Sequence, residues 1–166
     1  MPENVEIKAR ARDWEAQKAA ALALADRSFE LRQKDTFFNC ANGRLKLRRQ
    51  RGGEDYLVFY RRAGVKGPKT SAYTIVPVKD AAATRRSLKR LLGVTKTVSK
   101  RRLVCLAGRT RIHLDEVEGL GRFLELEVVL LPCEGPRAGR REAAALMKAL
   151  GIRKADLIAG AYADLL

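Results

Sequence analysis

The chain has 166 residues and carries 34 lysines and arginines against 19 aspartates and glutamates, a formal charge of +15. That length suits one domain, spanning residues 1–166, with a substantial core, and the charge favours a phosphate-bearing partner such as a nucleotide, polyphosphate, nucleic acid or anionic lipid. Aromatic residues make up 6% and sit mostly inside apolar runs, so the stacking residues that a nucleic-acid binder adds to a basic patch are scarce and nucleic acid is the less expected partner. Cys40, Cys105 and Cys133 are too few and too widely spaced for a zinc knuckle or a disulfide framework. No apolar run approaches the roughly 20 residues that cross a bilayer, so a soluble protein of the reducing cytoplasm, with no membrane partner, is expected.

Along the chain, Asn4 to Arg10 alternates polar with apolar residues, which predicts a first strand with Asn4, Glu6, Lys8 and Arg10 on one face. Asp13 is placed to cap a helix over Trp14 to Ala25. Ser28 to Phe38 returns to strand character, and Asn42-Gly43 supplies turn chemistry before a second basic-faced strand with Arg44, Lys46 and Arg48 in phase. Gly52-Gly53 leads into Tyr56 to Arg62, which pairs with its predecessor as a hairpin. Thr70 to Val78 is a further strand, followed by a helix that Asp80 caps and Gly93 stops near Leu92.

Thr95 to Leu106 is predicted as a strand with Lys96, Lys100 and Arg102 in one phase. Gly108 then turns into Arg109 to Asp115, where Arg109, Arg111, His113 and Asp115 alternate with apolar residues. Beyond Gly119-Leu120-Gly121, Glu125 and Glu127 share a face in Glu125 to Leu131. Pro132 to Gly139 reads as a loop, and Arg140 to Leu150 and Lys154 to Leu165 as two helices.

About eight strands in consecutive hairpin-like pairs, interrupted by helices, predict an α+β fold: a closed, eight-stranded antiparallel β-barrel with flanking and C-terminal helices. Alternating charges on one strand describe a solvated sheet face. Repeated strand after strand, they point to an enclosed one. If the apolar face meets the helices, the charged face lines the lumen and gathers Glu6, Asp115, Glu125 and Glu127 with Lys8, Arg10, Arg44, Lys46, Arg48, Lys100, Arg102, Arg109 and Arg111. Neighbouring carboxylates raise one another's pKa, and a divalent cation is the usual partner that keeps them ionised. Carboxylate oxygens suit Mg²⁺ or Mn²⁺, while lysine and arginine neutralise phosphate oxygens, so the mixture fits a metal-bound polyphosphate. No nucleophile with a neighbouring base stands out.

These residues resemble those of the CYTH domain family, which includes class IV adenylyl cyclases and thiamine triphosphatases and is also called the triphosphate tunnel metalloenzymes. Its opening Glu-x-Glu-x-Lys motif aligns with Asn4-Val5-Glu6-Ile7-Lys8. Its basic strand aligns with Gly43-Arg44-Leu45-Lys46-Leu47-Arg48, its Lys-x-Arg strand with Lys100-Arg101-Arg102, and its acidic strands with His113-Leu114-Asp115 and Glu125-Leu126-Glu127. The resemblance implies a triphosphate tunnel with Mg²⁺ or Mn²⁺ held by Glu6, Asp115, Glu125 and Glu127, and catalysis resting on these four and Lys8. It also implies that Lys8, Arg10, Lys46, Arg48, Lys100, Arg102 and Arg111 hold phosphates, joined by Arg61 or Arg62.

Asn4 departs from the motif. It keeps an oxygen donor but loses a charge, so a second metal there would be weaker or absent. His113, the only histidine, is expected to be a satisfied side chain near the barrel mouth because the implied metal shell is already oxygen-rich, with contact to a metal or phosphate as the alternative. Phe37, Phe38 and Trp14 are expected in the core, and the terminal helix with Ile158, Tyr162 and Leu166 against the barrel or across one mouth.

The wording of Glu118-Gly119-Leu120-Gly121 and Leu124-Glu125-Leu126-Glu127-Val128 is similar to the class IV adenylyl cyclase branch, which implies conversion of ATP to cyclic AMP and pyrophosphate. The alternative is hydrolysis of tripolyphosphate, thiamine triphosphate or a nucleoside triphosphate. A polyphosphate- or RNA-binding module is the non-enzymatic alternative. A homodimer stays open.

Overall fold

The period-two patterns do form strands, and the strands close. The computed structural model describes residues 3–62 and 66–166, without the side chains of residues 62 and 69–72. Eight strands, β1 (Glu3–Arg10), β2 (Arg27–Phe38), β3 (Arg44–Arg51), β4 (Tyr56–Arg62), β5 (Lys69–Pro77), β6 (Val94–Ala107), β7 (Thr110–Val117) and β8 (Gly121–Val129), are interrupted by helices α1 (Trp14–Leu24) and α2 (Ala81–Leu92) and followed by α3 (Pro136–Ala149). They form a closed antiparallel barrel in the order β1-β5-β4-β3-β2-β6-β7-β8, with β8 returning to β1. Hairpins make most of the seams, whereas β1–β5, β1–β8 and β2–β6 join strands distant in sequence.

Each wall has two faces. Outward, Ile7, Ala9, Ile112, Leu114, Leu124 and Leu126 pack with Ala21 of α1 and with Leu150, Ile152 and Leu157 beyond α3. On the far side Phe38 and Leu47 meet α2 at Ala81 and Leu88. The capping residues act as the sequence predicts: Asp13 accepts from the Ala16 amide at 3.2 Å and Asp80 from the Ala83 amide at 2.8 Å. No described helix is long and apolar enough to cross a membrane.

The C-terminal quarter differs from expectation. Helix α3 begins at Pro136, inside the predicted loop, and docks closely because Gly139 lacks a side chain. A Cβ there would stand 2.7 Å from Leu130 and 2.8 Å from Val5, distances no packed carbon tolerates. The second predicted helix is two 3₁₀ turns, Lys154–Asp156 and Tyr162–Asp164. Between them Leu157 bridges to Ala9 and the Ile158 amide donates to the Lys8 carbonyl at 2.9 Å. Pairing with the edge of β1 thus supplants helical bonding, and Gly160, at φ +78°, turns the chain back.

That turn delivers Tyr162 to one end of the barrel. Its ring packs against Phe123 at 4.9 Å between centroids, in a cluster with Phe37, Val98 and Val117. Arg44 fixes the same segment through a bidentate pair with Asp164 at 2.7 and 2.8 Å, and Lys96 donates to the Leu166 carbonyl. Two cations in the lumen phase therefore serve to seat a plug.

Candidate active site

Above the plug lies a lumen cavity of about 360 Å³. Strand parity sets its lining, and three walls result. Strands β7, β8 and β1 contribute an acidic wall; β3, β2 and β6 a cationic wall; β4 and β5 the side chains of Tyr56, Val58, Tyr60, Tyr73 and Ile75. Among the described residues, Lys8, Lys46, Arg48, Lys100, Arg102 and Arg111 line the cavity with Glu6, Asp35, Glu125 and Glu127.

On the cationic wall Asp35 sits opposite Arg48 in the β2–β3 register. Arg48 donates to both its oxygens, at 2.7 and 2.6 Å, while Lys46 and Lys100 reach it at 3.0 and 3.3 Å. Burial alone would raise the Asp35 pKa, but Arg48, Lys100 and Lys46 outweigh it and hold the carboxyl well below the usual range. One carboxylate cannot satisfy three buried cations. Burial, and next the Arg48 charge, push Lys46 down to about 8 against the pull of Asp35.

On the acidic wall, register places Glu6 opposite Glu127, Lys8 opposite Glu125, Arg111 opposite Glu127 and His113 opposite Glu125. Lys8 lies 3.1 Å from Glu125, and Arg111 donates to Glu127 at 2.8 Å. Burial would raise the Glu125 pKa; Lys8, His113 and Arg102 reverse this and leave it well below its usual value. His113 is pushed down by burial and then by Arg102, which favours the neutral imidazole. His113, Glu125 and Glu127 each bring a ligand atom within 4.8 Å of the others.

Three buried atoms of this lining lack a hydrogen-bond partner, Gln33 Oε1 on the cationic wall and two near the acidic wall. His113 Nδ1 has no hydrogen-bond partner, lying 3.5 Å from Glu125 Oε1, and Asn4 Oδ1 has none either. An unsatisfied buried polar atom costs about 1–3 kcal/mol. His113, expected from the sequence to be satisfied, thus has only a long contact from Nδ1 to Glu125. These two donors, with two ionised carboxylates, are a set that fits a divalent cation.

Several sequence-chosen residues lie elsewhere. Asp115 is fully buried behind Arg102, which donates to both its oxygens at 2.6 Å, while Tyr162 donates to Oδ2 at 2.7 Å. With both oxygens engaged and the carboxylate outside the cavity lining, Asp115 positions Arg102. Arg10 continues the lumen phase past the plug, where it is exposed with its guanidinium 5.2 Å from the Phe123 ring centroid. Arg61 has the outward phase of β4, donating to the Asn42 carbonyl at 2.6 Å; the side chain of Arg62 lies outside the described residues. Arg109 sits in the turn before β7, not in the strand, and pairs with Glu134 and, at 2.7 Å, with Glu142. Asp35 and the Gln33–Gln50 pair, bonded at 2.8 Å, are additions to the residues chosen from sequence, and Tyr162 takes the place across one mouth that the sequence allowed it. The β2–β3 register opposite Arg48 is the signal that finds Asp35.

A closed barrel with cations and carboxylates lining its lumen defines the class of the triphosphate tunnel proteins. Consistent with this, residues 2–162 match the CYTH domain model, and the chain belongs to the CYTH domain family, whose members act on triphosphates. The structure is similar to that of protein PH1012 from Pyrococcus horikoshii OT3, with a TM-score of 0.86 at 23% identity over 98% of this chain and 99% of that one. A candidate adenylate cyclase from Vibrio parahaemolyticus gives 0.77 at 19% identity, over 98% and 96% of the two chains. HpAC1 from Hippeastrum, proposed as an adenylyl cyclase and described with a dominant triphosphatase activity, gives 0.62 at 16%, over 95% and 90%. At these identities the likeness is one of fold. A comparison with curated proteins returned no match.

Proposed function

We propose that the protein is a divalent-metal-dependent enzyme that binds ATP by its triphosphate in the lumen and converts the nucleotide to cyclic AMP and pyrophosphate. The observation that carries the triphosphate reading is the charge of the lining, six cations against four carboxylates. A triphosphate bears roughly four negative charges, about two of them on its terminal group. The lumen's excess offsets half, and one divalent ion offsets the rest.

Glu125 and Glu127 would hold that ion, with Glu6 on the neighbouring strand and Asn4 beyond it. The ion would supply Lewis-acid stabilisation of charge developing on the phosphoryl oxygens. Lys46, Arg48 and Lys100 receive the phosphates that go deepest, being held in place beforehand by Asp35, so little reorganisation accompanies binding. Lys8, whose Nζ lies 4.0 Å from the Tyr162 ring centroid, and Arg102, gripped by Asp115, flank them.

Axial order supports reaction at the α-phosphate. The plug touches Lys8 and Lys100, whereas Glu127, His113 and Arg111 lie further along their strands toward the open mouth. With the terminal phosphate at the plug, the α-phosphate and the ribose 3′-hydroxyl come to the acidic wall. Arg111 and Glu127 keep 39% and 17% of their side chains exposed, which favours hydrolysis as the second reading because water can reach the same wall. Incubation of the protein with ATP, tripolyphosphate and thiamine triphosphate, each with Mg²⁺ and with Mn²⁺, separates the two. Cyclic AMP and pyrophosphate from ATP are the expected products; orthophosphate selects hydrolysis, and triphosphate binding without turnover in either metal selects a binding module.

A further inference from the structure

We propose that His113 Nδ1 is a direct nitrogen ligand of the divalent ion at the acidic wall and biases the site toward Mn²⁺ over Mg²⁺. The inference rests on the metal-dependent reading above and adds to it a ligand of a different chemical type.

The geometry starts with β7 and β8. Their register sets His113 directly across from Glu125 and Arg111 across from Glu127, all four in the lumen phase. Cross-strand neighbours have Cβ atoms about 4.5–5.5 Å apart, so an imidazole and a carboxylate so opposed can point their ends at one place. His113 is 4% exposed, and its Nδ1 has no hydrogen-bond partner. The nearest carboxylate oxygen, Glu125 Oε1, stands at 3.5 Å, beyond the N–H···O range. One ring nitrogen of His113 and one oxygen each of Glu125 and Glu127 lie within 4.8 Å of one another. Two atoms that bind one octahedral ion stand roughly 3 Å apart when adjacent and about 4 Å when opposite. With adjacent donors the triad therefore draws together by up to about 2 Å, a movement of side-chain ends on strands already in register.

The alternative, a histidine packed for bulk, leaves the orphan atom unexplained. A buried imidazole whose Nδ1 lacks a hydrogen bond, beside two carboxylates, is a ligand set that suits a divalent ion. The carboxylates meet cations that can leave. Lys8 is 3.1 Å from Glu125 Oε2 and Arg111 is 2.8 Å from Glu127 Oε2, and both can turn to phosphate oxygens once a triphosphate enters. Mn²⁺ shares the preference of Mg²⁺ for carboxylate oxygen but opens the first-row series whose members take imidazole, whereas Mg²⁺ keeps to oxygen and holds its waters.

Because His113 is the chain's only histidine, imidazole coupling to a bound metal assigns itself. Pulsed electron paramagnetic resonance on tag-free wild-type protein loaded with Mn²⁺ is expected to show ¹⁴N modulation, replaced by a ¹⁵N pattern when histidine alone is labelled. Calorimetric titration of His113→Gln and His113→Ala is expected to show at least about a tenfold loss of Mn²⁺ affinity, with a smaller loss for Mg²⁺. Stoichiometric Mn²⁺ without nitrogen modulation, in a protein whose turnover still requires metal, would overturn the ligand assignment and leave the metal-dependent reading standing. Absence of Mn²⁺ binding together with metal-independent turnover would overturn both. Since the spectroscopic result needs no variant, a folding defect at this buried position does not shield the proposal.

Discussion

On the cationic wall one carboxylate serves three cations, whereas on the acidic wall the carboxylates that meet cations each have a near partner of their own and a histidine nitrogen is left over. The first arrangement is fixed and overcharged: Asp35 is 2% exposed and both its oxygens are already engaged. The second is balanced by long side chains, Lys8 and Arg111, that can swing away. A wall that must accept an anion profits from cations locked in place and short of counter-charge. A wall that must accept a cation profits from carboxylates whose present partners are exchangeable.

The largest expected effect comes from breaking the acidic wall. Glu125→Gln and Glu127→Gln keep shape and volume but remove the charge that would hold a metal, so metal-dependent turnover is expected to fall on the order of a hundredfold or more. Circular dichroism should remain that of the wild type. Steady-state kinetics across a Mg²⁺ and Mn²⁺ series checks this, and wild-type activity in either variant would remove that residue from the metal shell.

Breaking the cationic wall should instead show first in stability. Asp35→Asn leaves Arg48, Lys46 and Lys100 buried without their shared counter-charge, an expected loss of about 3–5 kcal/mol. Tripolyphosphate then supplies the missing anion, so it should raise the melting temperature of the variant more than that of the wild type. Urea unfolding with and without tripolyphosphate tests both statements. A variant as stable as the wild type would mean that the three cations are satisfied from elsewhere.

The two walls were unequally legible in the sequence. On β1, β7 and β8 the outward residues are apolar, so Glu6, Lys8, His113, Glu125 and Glu127 announce their common face by alternation alone. On β2 the outward residues Arg32 and Lys34 are as polar as the inward Gln33 and Asp35. Alternation vanishes there, and with it the sign that Asp35 is internal. Arg109 and Arg61 misled for related reasons: one lies a residue short of its strand, and the other sits where a single phase error reverses the face. The 3₁₀ turn that carries Tyr162 was hidden by a helical pattern that pairing with β1 overrides. Closure itself rested on the count of strands, because the β1–β5 and β2–β6 seams leave no local trace.

A pH series sharpens the comparison with a smaller effect that carries two opposite signs. Lys46 is pushed down from its usual 10.5 to about 8, by burial first and by Arg48 next; Lys100 is displaced in the same direction for the same leading reasons. Between these values the unfolded chain binds more protons than the folded one, so the contribution of Lys46 makes the protein more stable as pH rises from about 8 toward 10.5. Triphosphate binding has the reverse dependence, since the ammonium that meets the phosphate is lost over the same interval. The value of kcat/KM, which reports the free enzyme, is therefore expected to fall by up to about tenfold one unit above pH 8. At saturation kcat should hold to higher pH, because bound phosphates favour the charged amine. Lys46→Arg retains charge throughout and should lose the part of the alkaline fall that position 46 contributes. If that variant and the wild type trace the same profile, Lys46 does not meet the triphosphate, and the overcharged wall narrows to Arg48 and Lys100.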